Sequence, residues 1–201
     1  NFLCSYRPLR ITRQGREAVT NHGMLPYVDG SCRREPDFEN RYPSITALCR
    51  ERFFAPNLYP GYRVIYITCK DKHGLDYRHW RLVGALEVVN RSTHQGAFDW
   101  YTENDEQVPN NCMTIRNGFL PMHLTSGNKL TIRQWNHHYA VRARNYDVFL
   151  RCRHVAPPRL TDPPILREAD FQKLIGGNPR TLIPQPISDA QFNAFVNLLR
   201  G

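Results

Sequence analysis

The densest run of chemically capable side chains is YVDGSCRREPDFENRYP, from Tyr27 to Pro43. Asp29-Gly30 marks a turn. Ser31, Cys32, Arg33, Arg34, Glu35, Asp37 and Glu39 follow with no apolar run to bury, and without the Gly/Ser or Pro repeats of a linker. Two readings fit these types. In one the loop faces a ligand: the guanidinium forks of Arg33 and Arg34 meet phosphate, and the carboxylate of Asp29 or Glu35 meets a base edge. In the other the loop is a solvated surface whose opposite charges pair with each other. Asp29, Glu35 and Asp37 also have the oxygen ligands of a divalent-cation site, and Cys32 with any of several histidines has the types of a nucleophile and its base. Neither of these last two sets has a specifying spacing.

A second candidate loop is VPNNCM, Val108 to Met113. The side-chain amides of Asn110 and Asn111 both donate and accept, so they can read a base edge bidentately; alternatively they bond their own turn. The third set is aromatic. Ser92 is expected to cap a short helix from Thr93 to Tyr101, which puts His94, Phe98 and Tyr101 on one face. That face either packs on a sheet, or one aromatic of this stretch joins Trp80 or Trp135 in a pocket that stacks a base, worth roughly 1–3 kcal/mol per base. His137 and His138 are adjacent and point apart on any regular element, so joint metal binding is not expected.

These residues need a scaffold, and its centre is LYPGYRVIYITCKDKHGLDYRHWRLVGALEVV, from Leu58. Arg63 to Cys69 and Arg81 to Val89 are rich in Val, Ile, Tyr and Leu and are punctuated by Gly and Pro, the signature of two neighbouring strands. Phe2 to Thr12 predicts a first strand with Pro8 at an edge or bend, Arg13 to Asn21 a short helix ended by Gly23, and Tyr146 to Cys152 a closing strand. Pro43-Ser44 opens an expected helix over Ile45 to Phe53, with Ser44 as N-cap. From Ala156 the proline-rich APPRLTDPP leads to two expected helices, Glu168 to Ile175 and Asp189 to Leu199, the latter capped by Ser188 and carrying an apolar stripe of Phe192, Phe195, Val196 and Leu199. The expected class is α+β, a small mixed β-barrel or strongly curved sheet flanked by short helices. Residues 1–155 would form the barrel domain, and residues 156–201 a connector with helices packing on it.

The order Gly61-Tyr62-Arg63-Val64-Ile65-Tyr66, a loop, then Leu82-Val83-Gly84-Ala85-Leu86-Glu87-Val88 resembles the PUA-like superfamily, including its EVE, ASCH and YTH branches, over roughly Ala47 to Arg153. The resemblance implies a pocket on a small barrel that accepts a flipped, modified or unmodified base, flipping being repaid by stacking and edge hydrogen bonds. On that reading Trp80, Trp100, Tyr101 and Trp135 are stacking walls; Asp29, Ser31, Asn110 and Asn111 read edges; and Arg33, Arg34 and Arg50 hold phosphate. Such domains occur in RNA modification and in bacterial DNA defence. ASCH-type relatives that hydrolyse modified nucleosides imply an alternative, with Thr68, Lys70 and Glu87 as the catalytic set and a desolvated lysine as base.

Composition narrows the classes. With 41% hydrophobic residues the 201-residue chain is globular rather than disordered. Lys+Arg outnumber Asp+Glu 27 to 18, a net charge of +9 with pI about 9.5, and Lys stands only at 70, 72, 129 and 173, so the excess is arginine. That favours an anionic partner, DNA or RNA. No apolar run approaches the roughly 20 residues that span a bilayer, and the N-terminus lacks the apolar core of a signal peptide. Six dispersed cysteines without a CxxC pair suit reduced thiols in a cytoplasmic protein. GxGxxG, P-loop, HExxH and GxSxG motifs are absent, so neither cofactor nor metal is expected, and a binding domain is expected before an enzyme.

Overall fold

A computed structural model describes residues 1–30, 35–109, 111–114, 129–180 and 183–201, and for 129–136 the backbone. In chain order the regular elements are β1 (Phe2–Tyr6), α1 (Arg13–His22), β2 (Ser44–Thr46), β3 (Arg63–Thr68), β4 (Trp80–Ser92), α2 (His94–Glu103), α3 (Lys129–Asn145), β5 (Phe149–Ala156), β6 (Ile165–Leu166), α4 (Glu168–Ile175), β7 (Gln185–Pro186) and α5 (Asp189–Arg200). The class is mixed α+β. Two compact units are built from discontinuous segments: unit 1 from Asn1–Gly30, Tyr62–Glu87 and His154–Gly201, and unit 2 from Ser31–Gly61 and Val88–Arg153. The division therefore runs across the boundary expected at residue 155, and β4 and β5 contribute residues to both units.

In unit 1 the strand order is β7-β1-β3-β4, with β6 also on β4. β3 runs parallel to β1, Phe2 opposite Val64 through Tyr6 opposite Thr68, and antiparallel to β4, with a register shift between Tyr66 and Ile67. RVIYIT is apolar almost throughout because β3 is buried on both faces. One face meets α4 and α5: Ile65, Ile67, Trp80, Leu82 and Ala85 pack with Phe171, Phe192, Phe195, Val196 and Leu199 in one core. The apolar stripe of α5 is thus spent on docking. Its start is set by Ser188, whose hydroxyl accepts from Gln191 N at 3.2 Å while Gln191 Oε1 accepts from Ser188 N at 2.8 Å, a reciprocal cap. α1 begins where Thr12 Oγ1 accepts from Gly15 N at 2.9 Å. A Cβ on Gly15 would stand 1.7 Å from Leu9 O, so only glycine lets that turn close.

In unit 2, β2 pairs antiparallel with β5, Ser44 opposite Arg151 and Thr46 opposite Phe149, and β5 neighbours β4. The expected helix over Ile45 to Phe53 is absent: Ser44–Thr46 is strand, only Glu51–Phe53 makes a short 3-10 turn, and Arg50 and Glu51 take left-handed φ of 63° and 46°. Ser44 does not cap a helix: its hydroxyl is engaged with Asp37 and Asn111, and Ser44–Thr46 pairs with β5. α2 starts one residue later than expected, capped by Thr93, whose hydroxyl accepts from Gly96 N at 3.0 Å. Its His94 ring stands edge-on to Phe149, and Ala97 and Tyr101 pack with Phe149 and Cys112, with Phe98 at the margin. The shared aromatic face therefore packs on the sheet. α3 buries Tyr139 and Ala143 against Leu48. Among the described residues no helix is long and apolar enough to cross a membrane.

Candidate functional site

The two loops singled out in the sequence meet in unit 2 on the edge strand β2. β2 pairs with β5 on one side only, so the N–H groups of Ser44 and Thr46 on its other edge need acceptors. Side chains supply them. Asp37 Oδ1 accepts from Ser44 N at 2.8 Å, Glu35 Oε1 accepts from Thr46 N at 2.8 Å, and Glu35 Oε2 accepts from the Thr46 hydroxyl. The carboxyl groups thus stand where a neighbouring strand's carbonyls would be. Asn111 closes the set: its Nδ2 lies 3.5 Å from Glu35 Oε2 and its Oδ1 2.9 Å from Ser44 Oγ. Asn111 is placed by its neighbours in the VPNNCM stretch, since Cys112 Sγ donates to His94 O at 3.3 Å and Met113 N donates to His94 Nδ1 at 3.0 Å. All of these side chains are buried.

The Ser44 hydroxyl stands between two acceptors. Ser44 Oγ lies 2.9 Å from Asp37 Oδ1 and 2.9 Å from Asn111 Oδ1. A hydroxyl has one proton, so it donates to one of these oxygens at a time. Asp37 Oδ1 already accepts from Ser44 N, so a retained acid proton sits on Oδ2, and Asn111 Nδ2 faces Glu35. Burial, with the Glu35 charge adding to it, pushes the Asp37 carboxyl up to about 8, so the acid is mostly protonated at neutral pH. Its Oδ2 is covered and has no hydrogen-bond partner among the described residues. Burial likewise raises the thiols of Cys112, to about 12, and of Cys152, so neither is a thiolate.

Guanidinium–aromatic stacks surround other parts of unit 2. Arg151 lies 3.3 Å over the Trp100 ring, which is edge-on to Tyr42 and Tyr101. Arg52 covers Phe53 at 4.8 Å and Arg91 covers Tyr59 at 4.9 Å. Arg91 is itself held by the carbonyls of Ala55 and Leu58, at 3.2 and 2.8 Å. Phe53 and Tyr59 are more than half exposed, at 58% and 53%.

The other expected site residues fall as follows. Trp80 is a core residue of unit 1, 3% exposed, edge-on to Phe171 at 4.9 Å with Lys70 over its ring at 4.7 Å; this corrects its reading as a stacking wall. Tyr101 is corrected in the same way: it is fully buried, its hydroxyl donating to Tyr42 O. Trp100 is half-buried with Arg151 on its face. Asp29 is buried in unit 1, in an isolated bridge with Pro8. Arg50 lies 5.8 Å over Phe54. Ser31, Arg33, Arg34, Asn110 and the Trp135 side chain lie outside the described residues. Of the alternative catalytic set, Thr68 Oγ1 is buried, accepting from Arg81 N at 2.9 Å, and Lys70 pairs with Glu168 at 2.5 Å. Glu87 stands opposite Arg63 at the far end of β3, roughly 16 Å from Thr68 by strand rise. These three do not converge.

Two features were not singled out in the sequence. Ser44 was read as a helix cap, whereas Asp37 three residues after Arg34 and Asn111 in a distant loop both bond to it. Arg81 was read only as a strand residue, although a charged side chain inside the apolar run HWRLVGAL signals a buried partner set. Among the described residues no group of three His, Cys, Asp or Glu side chains is placed to hold a metal ion. Comparisons with protein-family models, with curated proteins and with solved structures find no match.

Proposed function

We propose that the chain is a nucleic-acid-binding module that stacks bases on guanidinium-backed rings. The observation that carries this reading is the pair of exposed rings, Phe53 and Tyr59, each backed by an arginine. A ring so backed offers a flat, electropositive face, which suits an unpaired base regardless of its identity. The net charge of +9 supplies long-range attraction to a polyanion. The finer reading is a PUA-like scaffold that accepts a flipped, modified base, acting in RNA modification or in defence against foreign DNA; it rests on the resemblance of the Gly61 and Gly84 strands.

The test is fluorescence anisotropy of labelled single- and double-stranded DNA and RNA, with and without modified bases, at two salt concentrations. Binding should weaken steeply with salt. Tyr59→Ala and Phe53→Ala should each lose about 1–3 kcal/mol of binding to single strands. Absence of binding at low salt, or unchanged affinity in both variants, rules the reading out.

A further inference from the structure

We propose that unit 1 carries a second, independent site that takes a phosphomonoester, in a cavity of about 490 Å³ walled by Leu75, Arg81, Arg159, Asp162, residues 163–165 and Gly201. Arg81, the second residue of β4, is only 7% exposed. Its Nε donates to His79 Nε2 at 2.9 Å, and its Nη1 donates to Pro163 O at 2.8 Å and to Asp162 Oδ1 at 3.0 Å. His79 accepts there, so it is unprotonated; its other nitrogen donates to Tyr77 O at 3.1 Å. Burial and the neighbouring Arg81 both push its pKa down. The guanidinium plane is therefore clamped on one side, and Nη2 on the other has no acceptor among the described residues. Arg159 spends only Nε, donating to Leu199 O at 3.1 Å, and both its Nη groups are without acceptor among the described residues. Two arginines on one cavity wall, each with N–H groups to spare, match the fork geometry of phosphate oxygens.

Among the described residues that line the wall, the one acidic side chain is Asp162, which is 89% exposed. A solvent-exposed carboxylate of one charge holds Arg81 weakly. A phosphomonoester brings about −1.5 to −2 charges at neutral pH and three acceptor oxygens, so it can outcompete that carboxylate. Leu75 and the proline-rich wall at 163–165 leave an apolar side larger than phosphate alone needs, and the volume lies in the range of small-molecule sites, about 300–1,000 Å³. The ligand class is thus a phosphate on a small organic body, either a free mononucleotide or the phosphorylated end of an oligonucleotide.

Isothermal titration of the whole chain with inorganic phosphate, adenosine 5′-monophosphate, adenosine, and an oligonucleotide with and without a 5′-phosphate tests this. The phosphate-bearing ligands should bind and adenosine should not. A preference for the free nucleotide identifies a small-molecule site, whereas a preference for the phosphorylated oligonucleotide over its unphosphorylated twin identifies an end-binding site. Arg159→Gln, at an exposed position, should weaken binding about tenfold. Asp162→Asn should tighten it severalfold, because it removes a competing acceptor and a repelling charge; a merely structural pair would not change in that direction. No heat with any phosphate at millimolar concentration, or equal affinities in both variants, overturns the proposal. Loss of nucleic-acid binding in Tyr59→Ala without change here leaves this site standing, so its failure and that of the binding reading above are separable.

Discussion

The two units bury polar groups by opposite means. In unit 2 the buried groups on β2 are acidic, and Asp37 lowers its cost by keeping a proton while Ser44 and Asn111 bond the carboxyl groups. In unit 1 the buried groups around Arg81 are basic. His73 and His79 are unprotonated, while Arg81, which cannot shed its charge, is clamped by an imidazole, a carbonyl and an exposed carboxylate. The rule behind the contrast is simple: a group whose neutral form is reachable near neutral pH becomes neutral on burial, and one whose neutral form is not must be partnered. The aromatic residues differ in the same sense. Trp80 in unit 1 is filled into a core, whereas Trp100 in unit 2 is left half-buried under a guanidinium.

The largest effect should come from breaking that aromatic contrast. Trp80→Ala removes a core side chain packed on Phe171, and should cost about 3–5 kcal/mol of unfolding free energy. Trp100→Ala loses a partly solvated ring and should cost less than half as much. Urea denaturation of both variants checks this; equal costs would erase the distinction between a core ring and a surface ring.

That distinction also marks what the sequence made legible. Strands β3 and β4 and helices α1, α4 and α5 were readable because each is specified locally, by periodicity, by Gly23 or by Ser188. The role of Ser44 was not, because Ser44-Ile45-Thr46 followed by Ala47-Leu48 reads equally as a helix start. What decides for strand is a pair of acceptors from Glu35 and Asp37 and a pairing with β5, more than a hundred positions away. Likewise, aromatic residues announce themselves in a sequence without saying which of their faces is covered; Trp80 and Tyr101 differ from Tyr59 only in what long-range packing leaves open. The two candidate loops were legible as polar and irregular, but their meeting at Ser44 is tertiary.

The retained protons predict a pH profile. Asp37, raised from 3.8 to about 8 by burial, takes up a proton on folding throughout that interval, so its contribution is present at low pH and lost as pH rises towards 8. His73 and His94, lowered from 6.5 to about 4 by burial, shed protons on folding, so their contribution is present above 6.5 and lost as pH falls towards 4. Below 6.5 the two imidazoles outweigh the one carboxyl; above it only the carboxyl acts. Stability should therefore peak near pH 6.5 and decline on the alkaline side by up to about 1.4 kcal/mol per pH unit. Asp37→Asn should remove the alkaline limb and keep the acid limb. A wild-type profile that stays level from 6.5 to 8 would falsify the retained proton.

Ser44→Ala probes the same chain one bond further on. It removes the hydroxyl between Asp37 and Asn111 but keeps the Ser44 N–H that β2 needs. The expected cost is about 1–3 kcal/mol, that of buried acceptors left unmade. It should fall on thermal stability at pH 6 and, because the Ser44 hydroxyl donates to the Asp37 carboxyl and holds its pKa down, its loss should extend the alkaline limb to higher pH. Cysteine at the same position restores bulk without a comparable donor and should not bring the limb back to its wild-type position.

The contrast should vanish at the surface. Arg41 and Glu106 pair at 3.0 Å in unit 2, and Arg13 and Glu17 pair at 3.0 Å one helical turn apart in unit 1. Both arginines are largely exposed, so each pair competes with water and with the entropy of two long side chains. Arg41→Ala and Arg13→Ala should each change unfolding free energy by less than about 1 kcal/mol, and by similar amounts. The two melting temperatures, measured side by side at low and at high salt, check this. A large, salt-insensitive loss confined to Arg41→Ala would mean that unit 2 also relies on charge pairing at its surface, and the difference between the units would then reach beyond their buried groups.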